Sequence, residues 1–183
     1  FLNEQILELD MEVAKRLAPF QQDLDRLVSI PDIARRTAEQ IIAEIGTDIG
    51  SRFPSAAHLC SWVGLVPGHN ESAGKRKSSK TRKGNKYLRS ALTEAAQSIR
   101  GSDNYLGAQY RRIAARKGKR RAAVAVAHSI MTIAYYLLTR QEDYKDLGSD
   151  YFEKRHQDAI VRQTVRKLEN LGFTVTLATS EAS

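Results

Sequence analysis

The chain has 183 residues, 42% of them hydrophobic and 27% charged, and its 29 Lys and Arg against 21 Asp and Glu give a formal net charge of +8. This length predicts one domain or a domain with an appendage, and the apolar fraction excludes a wholly disordered chain. The single cysteine, Cys60, excludes an internal disulfide framework and a cysteine-based zinc site. The sequence contains no run of about 18 apolar residues, the length that a membrane-spanning helix needs, so no membrane span is predicted. Because the chain begins at Phe1 without a Met or a signal-peptide pattern, we interpret it as a piece of a larger protein.

The positive charge is concentrated in residues 73–121, which carry sixteen Lys or Arg and two acids, or +14, against −6 for the rest of the chain. A few scattered lysines would indicate a solvated basic face. Such a large difference in net charge between this segment and the rest of the chain instead favours a polyanionic partner. The segment has three aromatic residues, all tyrosines, so we expect contacts with phosphate more than base stacking. The candidate nucleic-acid-binding residues are Lys75, Arg76, Lys77, Lys80, Arg82, Lys83, Lys86, Arg89, Arg111 and Arg112.

In chain order, the first predicted element is an amphipathic, coiled-coil-like helix over residues 1–26, with a kink or end at Pro19. Its exposed apolar stripe predicts a homo-oligomer or packing back onto the chain. The stripe consists of Leu2, Ile6, Leu9, Val13 and Leu17, spaced by three and four. Residues 27–65 follow as helix, turn, helix, loop and short helix, with Ser55 as a cap and Gly64 as the end of the last helix.

The stretch from Pro67 to Gly84 contains no apolar side chain larger than Ala73 apart from the proline itself, so we expect a long basic loop without packed structure of its own. Helices are predicted again from Asn85 or Lys86, over residues 104–116 and over residues 122–138. The last of these is apolar on nearly all faces, which predicts the central buried helix. We interpret its His128 as a hydrogen-bonded core histidine. Residues 143–171 are predicted as a charged helix.

Together these elements predict an all-α fold: a helical bundle with an N-terminal coiled-coil-like helix, a helix-hairpin-helix-like unit and a long basic loop. We expect three regions: an amphipathic helix (1–26), a DNA-engaging domain (27–140) and a charged helical extension with a tail (141–183). In a helix-hairpin-helix unit, two glycines in the turn allow the backbone to come close to a phosphate. In this sequence the two glycine positions are occupied by Asp32 and Ala34. We therefore interpret this hairpin as packing rather than as a phosphate clamp.

Ser72 is the candidate for chemistry. It is followed by the flexible pair Ala73-Gly74 and by a series of cations. A serine hydroxyl needs a base or a favourable electrostatic setting to attack a phosphodiester, and neighbouring cations would stabilise the charge that builds up on the phosphate oxygens. A phosphate-binding P-loop is not supported, because Gly74-Lys75 lacks the upstream glycine, the following Ser or Thr and a preceding strand.

An ordered series of short motifs resembles the C-terminal half of bacterial insertion-sequence transposases related to the Piv DNA invertase. The resemblance covers roughly residues 27–138. In order, the motifs are Ile30-Pro31, Ala43-Glu44-Ile45-Gly46, Arg52-Phe53-Pro54-Ser55, Gly64-Leu65-Val66-Pro67, Ser72-Ala73-Gly74-Lys75 and Arg82-Lys83-Gly84-Asn85-Lys86-Tyr87-Leu88-Arg89.

The resemblance implies a two-part DNA recombinase. A preceding RuvC-like domain would hold Mg²⁺ with four acidic residues, and the helical part would supply a serine that forms a covalent phosphoserine link to DNA. The matching position is Ser72, with Ser78 and Ser79 as lesser candidates. The sequence departs from the common pattern at Glu71, where a second serine is usual, and at Ala73, where a glycine is usual.

The resemblance also implies partners: DNA, a structured guide RNA and no membrane, in the bacterial cytoplasm. The leading hypothesis is a DNA-engaging, serine-bearing transposase region that is inactive alone because the Mg²⁺-binding domain is absent. The alternative is a non-catalytic helical nucleic-acid-binding module.

Overall fold

The computed structural model describes residues 1–68, 71–76, 78 and 80–177, and within them it confirms the predicted all-α bundle. Turns of 3₁₀ helix cover Ala18–Phe20 and Ile99–Gly101. A two-residue hairpin, β1 (Glu71–Ser72) and β2 (Lys75–Arg76), interrupts the helices between α5 and α6. The helices are α1 (Leu2–Leu17), α2 (Gln21–Val28), α3 (Arg35–Ile45), α4 (Ile49–Arg52), α5 (Ala56–Val63), α6 (Lys86–Ser98), α7 (Tyr105–Lys117), α8 (Lys119–Arg140) and α9 (Tyr151–Asn170).

Local capping explains where the helices begin and end. The Ser55 hydroxyl accepts a hydrogen bond from the backbone N–H of His58, and Gly64 ends α5 in the left-handed conformation, both as predicted. Asn85 and Asn104 cap α6 and α7 in the same way. Pro19 lies in the 3₁₀ turn that separates α1 from α2, so the predicted kink is confirmed.

The turn between α2 and α3 shows why two glycines can be replaced there. Asp32 adopts a left-handed backbone with φ of 60°, and its carboxylate accepts a hydrogen bond from the Ser102 hydroxyl at 2.7 Å. Aspartate tolerates this conformation better than most residues. The turn therefore packs against the α6–α7 connection through this hydrogen bond.

The core is built around α8, which packs against α2, α4, α5, α6 and α7. Its inward face includes Val126, Ile130 and Met131, all fully buried. By length and composition α8 would also suit a membrane span, and it is the one such helix among the described residues. However, 56% of its most apolar window is buried inside the bundle, as expected of a core helix.

The prediction of a central helix is confirmed, but α8 is not buried on every face. Its neighbours leave an open stripe, one residue per turn, that runs from Arg121 through Ala125, Thr132 and Tyr136 to Arg140. His128 lies on this stripe and is half-buried, and no hydrogen bond to its imidazole is found among the described residues. Apolar composition therefore predicted the central helix but not its open face.

Two further expectations need correction. Residues 143–150 are not helical, and α9 begins only at Tyr151. There the Asp146 carboxylate accepts hydrogen bonds from the Tyr105 and Gly148 backbone N–H groups and the Tyr144 hydroxyl, which holds an irregular connection against α7. The described part of the loop after Pro67 is also not without structure, because it contains the β1–β2 hairpin and backbone hydrogen bonds close its base.

Candidate nucleic-acid interface

The basic loop is closed at its base by backbone pairing. The Gly68 N–H donates to the Lys80 carbonyl at 2.8 Å, and the Arg82 N–H donates to the Val66 carbonyl at 3.1 Å, with Pro67 opposite Thr81. Backbone hydrogen bonds of this kind need no particular side chains, and for this reason the side-chain pattern did not indicate them. The loop therefore leaves the bundle as an arm with a defined root.

The root is fixed to the bundle where Gly84 crosses Gly64. A Cβ added at Gly84 would lie 2.4 Å from the Gly64 nitrogen and 2.4 Å from the Val63 carbonyl carbon. Only glycine permits such an approach of two backbones. Asn85 then ties the end of the loop down, since its N–H donates to the Trp62 carbonyl at 3.3 Å and its side-chain amide donates to the Glu44 carboxylate.

Ser72 lies next to the turn of the small hairpin, paired with Lys75 across the strands. The turn residues Ala73 and Gly74 have φ of 51° and 71°, as in a type I′ turn. Alanine in this left-handed conformation is strained. Ser72 is solvent-exposed, and no hydrogen bond to its hydroxyl is found among the described residues.

The other two candidate serines differ from Ser72. Ser78 is half-buried, and its hydroxyl oxygen accepts a hydrogen bond from the Lys80 backbone N–H at 3.1 Å. Ser79 lies outside the described residues. Of the two candidates whose position is described, Ser72 is thus the one presented to solvent.

The predicted binding cations fall into several groups. Lys80, Arg82 and Lys83 are exposed on the returning side of the loop, and Lys86 is exposed in the first turn of α6 with its ammonium 4.9 Å from the centre of the Tyr87 ring. For Lys75 and Arg76 the structure describes the backbone, in β2, but not the side chains, and Lys77 lies outside the described residues. The returning side of the loop and the first turn of α6 therefore expose at least four of the predicted cations.

Arg111 and Arg112 are engaged within the protein. The Arg111 guanidinium donates to the Ser102 carbonyl at 2.9 Å and the Arg100 carbonyl at 3.3 Å, which ties α7 to the preceding turn. Arg112 lies 5.3 Å from the centre of the Phe152 ring and so helps to hold α9. These two predicted binding residues are not brought together with the loop cations by any described contact.

Arg89 lies together with four cations that were not among the candidate binding residues. It lines a groove of about 640 Å³ beside the loop root. No periodicity in the sequence indicated this set, because Gly118 separates α7 from α8 and only the packing of the two helices brings residues 116, 120 and 121 to one groove. The other cations that line this groove are Arg116, Lys117, Arg120 and Arg121.

No group of three or more His, Cys, Asp or Glu residues is close enough to hold a metal ion within the part of the chain that the structure describes. Cys60 is buried beneath α8, where burial raises the pKa of its thiol. Neither observation adds a catalytic group to Ser72.

The described residues thus form an α-helical bundle with an exposed serine beside the turn of a short hairpin. Comparison with known proteins gives a definite family. Residues 24–111 match the family described as "Transposase IS116/IS110/IS902 family", and this part of the chain is a transposase domain of that family.

Two similar proteins extend this result. The transposase for insertion sequence element IS1111A of Coxiella burnetii is 31% identical over 139 residues, which cover 73% of this chain and 38% of that protein. The pilin gene-inverting protein of Moraxella bovis is 30% identical over 122 residues, which cover 64% of this chain and 37% of that protein. The chain thus spans less than two fifths of the length of these relatives. A comparison with solved structures found no match.

Proposed function

We propose that this chain is the DNA-engaging, serine-bearing region of an insertion-sequence transposase, with Ser72 as the nucleophile. Family membership indicates transposition or recombination, and the observation that carries the finer proposal is the position of Ser72. It is exposed beside a tight turn, on an arm whose root is fixed to the bundle and whose returning side is basic. A rigid root with an exposed tip suits a hydroxyl that must reach into a bound DNA backbone.

The proposed chemistry is a transesterification. The Ser72 oxygen forms a bond to phosphorus, a sugar oxygen leaves with a proton, and the serine proton passes to a base supplied from elsewhere in the complex. Cations near the phosphate stabilise the charge that develops on its non-bridging oxygens. Because one phosphoester bond replaces another, the strand can later be rejoined without an external energy source.

Partners follow from the same proposal. DNA is the substrate, the acidic Mg²⁺-binding residues belong to a RuvC-like domain that would act together with this one, and a structured RNA would select the sites. Since the substrate is chromosomal DNA, we expect the protein to act in the bacterial cytoplasm. Self-association through α1 is expected as well, because large apolar side chains on this helix, including Leu2 and Leu9, are mostly exposed.

The test is a transposition assay with the protein encoded by the complete gene, comparing Ser72→Ala with Ser78→Ala. We expect Ser72→Ala to abolish recombination and covalent protein–DNA adducts while DNA binding stays within about twofold, because one exposed hydroxyl adds little to an affinity dominated by phosphate contacts. Ser78→Ala should retain activity. Recombination by Ser72→Ala at the wild-type rate would contradict the proposal and favour the non-catalytic binding module.

A further inference from the structure

A groove runs along the seam between α7 and α8. Two cavities of about 640 and 730 Å³ lie end to end along this seam and meet at His128 and Ser129, which line both. The floor of the groove follows the open stripe of α8 described above. From Arg120 to Arg140 the helix rises by about 30 Å, which sets the length of the groove.

The end near Gly118 is strongly basic. Its cations are those of α6, α7 and α8 named above, and no Asp or Glu lines this cavity among the described residues. The loop root contributes Pro67 and Thr81 to the same wall. Cations that share one concave surface without acidic partners attract a polyanion, and they bring it beside the arm that carries Ser72.

The middle of the groove holds polar groups with spare hydrogen-bonding capacity. The Gln109 side-chain nitrogen donates to the Ser129 hydroxyl at 2.9 Å, whereas the Gln109 Oε1 atom is buried and has no hydrogen-bond partner in the described part of the chain. Because this atom is buried, an N–H group of a ligand reaches it only if the Gln109 side chain shifts, and the new hydrogen bond would then remove the cost of an unsatisfied acceptor. Burial lowers the pKa of His128, so its ring is uncharged near neutral pH and offers one donor and one acceptor.

The far end is aromatic and carries both signs of charge. Tyr105, Tyr136 and Tyr144 line it, and the Arg140 guanidinium lies 4.6 Å from the centre of the exposed Tyr136 ring. Glu142 and Asp143 lie in the same wall as Arg140 and Lys145, so this end has no net attraction for phosphate. Aromatic rings with a neighbouring guanidinium are the surfaces on which unpaired bases stack.

We propose that the α7–α8 groove binds a single-stranded segment of nucleic acid, with its phosphates at the basic end and unpaired bases at the Gln109–Tyr136 end. This rests on the proposed function, since it presupposes a chain that handles nucleic acid. A duplex would contact the cations but not the polar middle or the aromatic end of the groove. Its bases are paired and stacked, so they do not reach Gln109 and Tyr136. DNA and RNA single strands share the chemistry that the groove recognises.

Fluorescence anisotropy with this chain tests the proposal. The probes are oligothymidylate and oligouridylate of about 12 nucleotides and a duplex of the same length, titrated at several salt concentrations. Tyr136→Ala should weaken binding of either single strand at least about fivefold, because a base that stacks on an aromatic ring contributes that much or more, and it should leave duplex binding unchanged. Phe173→Ala, at an exposed aromatic residue outside the groove, is the matched control.

The basic end is tested by the double variant R120A/R121A. It should weaken single-strand binding and reduce the magnitude of the slope of log K against log [salt] by about 1.4, or about 0.7 for each lost phosphate contact. Removing cations from the first turn of α8 does not oppose the helix dipole, so loss of folding is not the expected cause, and circular dichroism checks this. K15A/R16A removes the same charge from exposed positions on α1.

The outcomes separate the two proposals. If the wild type binds all probes and the groove variants lose no more affinity than their controls, the groove assignment is overturned. The proposed function is unaffected by that result. Equal loss of duplex and single-strand binding by Tyr136→Ala would overturn the claim of unpaired bases. Failure of the wild-type chain to bind any probe would count against the proposed function itself. A preference between the thymidylate and uridylate probes identifies which strand the groove takes.

Discussion

The crossing of Gly64 and Gly84 supports a sharp prediction, because it fixes the root of the serine-bearing arm. In Gly84→Ala the new Cβ would meet three backbone atoms of residues 63 and 64 at 2.4–2.5 Å. Carbon atoms normally approach to about 3.5 Å, so the backbones must separate by about 1 Å. That shift also strains the bond from the Asn85 N–H to the Trp62 carbonyl.

The expected magnitude follows from these two effects. Overpacking costs about 1–3 kcal/mol, and a weakened backbone hydrogen bond adds about 1 kcal/mol. We therefore expect Gly84→Ala to lower the free energy of unfolding by about 3 kcal/mol and Tm by about 6–12 °C. Amide hydrogen exchange at Gly68 and Arg82, which close the loop, should accelerate by more than exchange in α8.

Urea unfolding and exchange measured by nuclear magnetic resonance provide the assay, with Gly101→Ala as the control. Gly101 has no atom within 4 Å of an added Cβ and no left-handed backbone, so its variant should unfold within about 1 kcal/mol of wild type. A loss below about 1 kcal/mol in Gly84→Ala, with unchanged exchange at the loop root, would refute the crossing as the anchor of the arm.

Three further predictions concern the arm and the groove. Ala73→Gly should relieve a left-handed alanine and slow amide exchange in the hairpin up to about fivefold, whereas unchanged or faster exchange would argue against the strained turn. Asn85→Ala should cost about 1–2 kcal/mol in urea unfolding, because it removes the cap of α6 and a bond to Glu44, and a loss under about 0.3 kcal/mol would contradict that role. Because burial lowers the pKa of His128 in the folded state, the unfolded chain binds more protons below pH about 6.5, so stability falls as pH drops from there toward the folded pKa. His128→Gln should lose this component in urea unfolding compared at pH about 7.5 and 5, and identical pH dependence of variant and wild type would contradict the burial.

Helix existence and most helix ends could be predicted from the sequence because they depend on local chemistry. The Ser55 cap, the left-handed Gly64 and the kink at Pro19 each follow from the conformational preferences of a single residue type. Long-range backbone contacts leave no such local signal. The pairing of Gly68 with Lys80 and the approach of Gly84 to Gly64 depend on how distant segments meet, so a stretch without apolar side chains was expected to lack structure.

The candidate binding residues divide in the same way. Charge clustering indicated the basic surface, but a count of charges does not show which cations are already used inside the protein. Arg111 and Arg112, predicted as binding residues, are exposed and also contact neighbouring elements of the bundle, and their role in binding stays a prediction. Arg120 and Arg121 were part of the basic segment, and only the packing of α8 on α7 places them in one groove with Arg89.

Locating the covalent bond between protein and DNA tests directly whether Ser72 is the nucleophile. The protein encoded by the complete gene is incubated with substrate DNA, the covalent adduct is digested with protease and nuclease, and mass spectrometry identifies the modified peptide. We expect a nucleotide on the Ser72 oxygen and no adduct from Ser72→Ala. A nucleotide on Ser78, Ser79 or any other residue, or an undiminished adduct from Ser72→Ala, would contradict it.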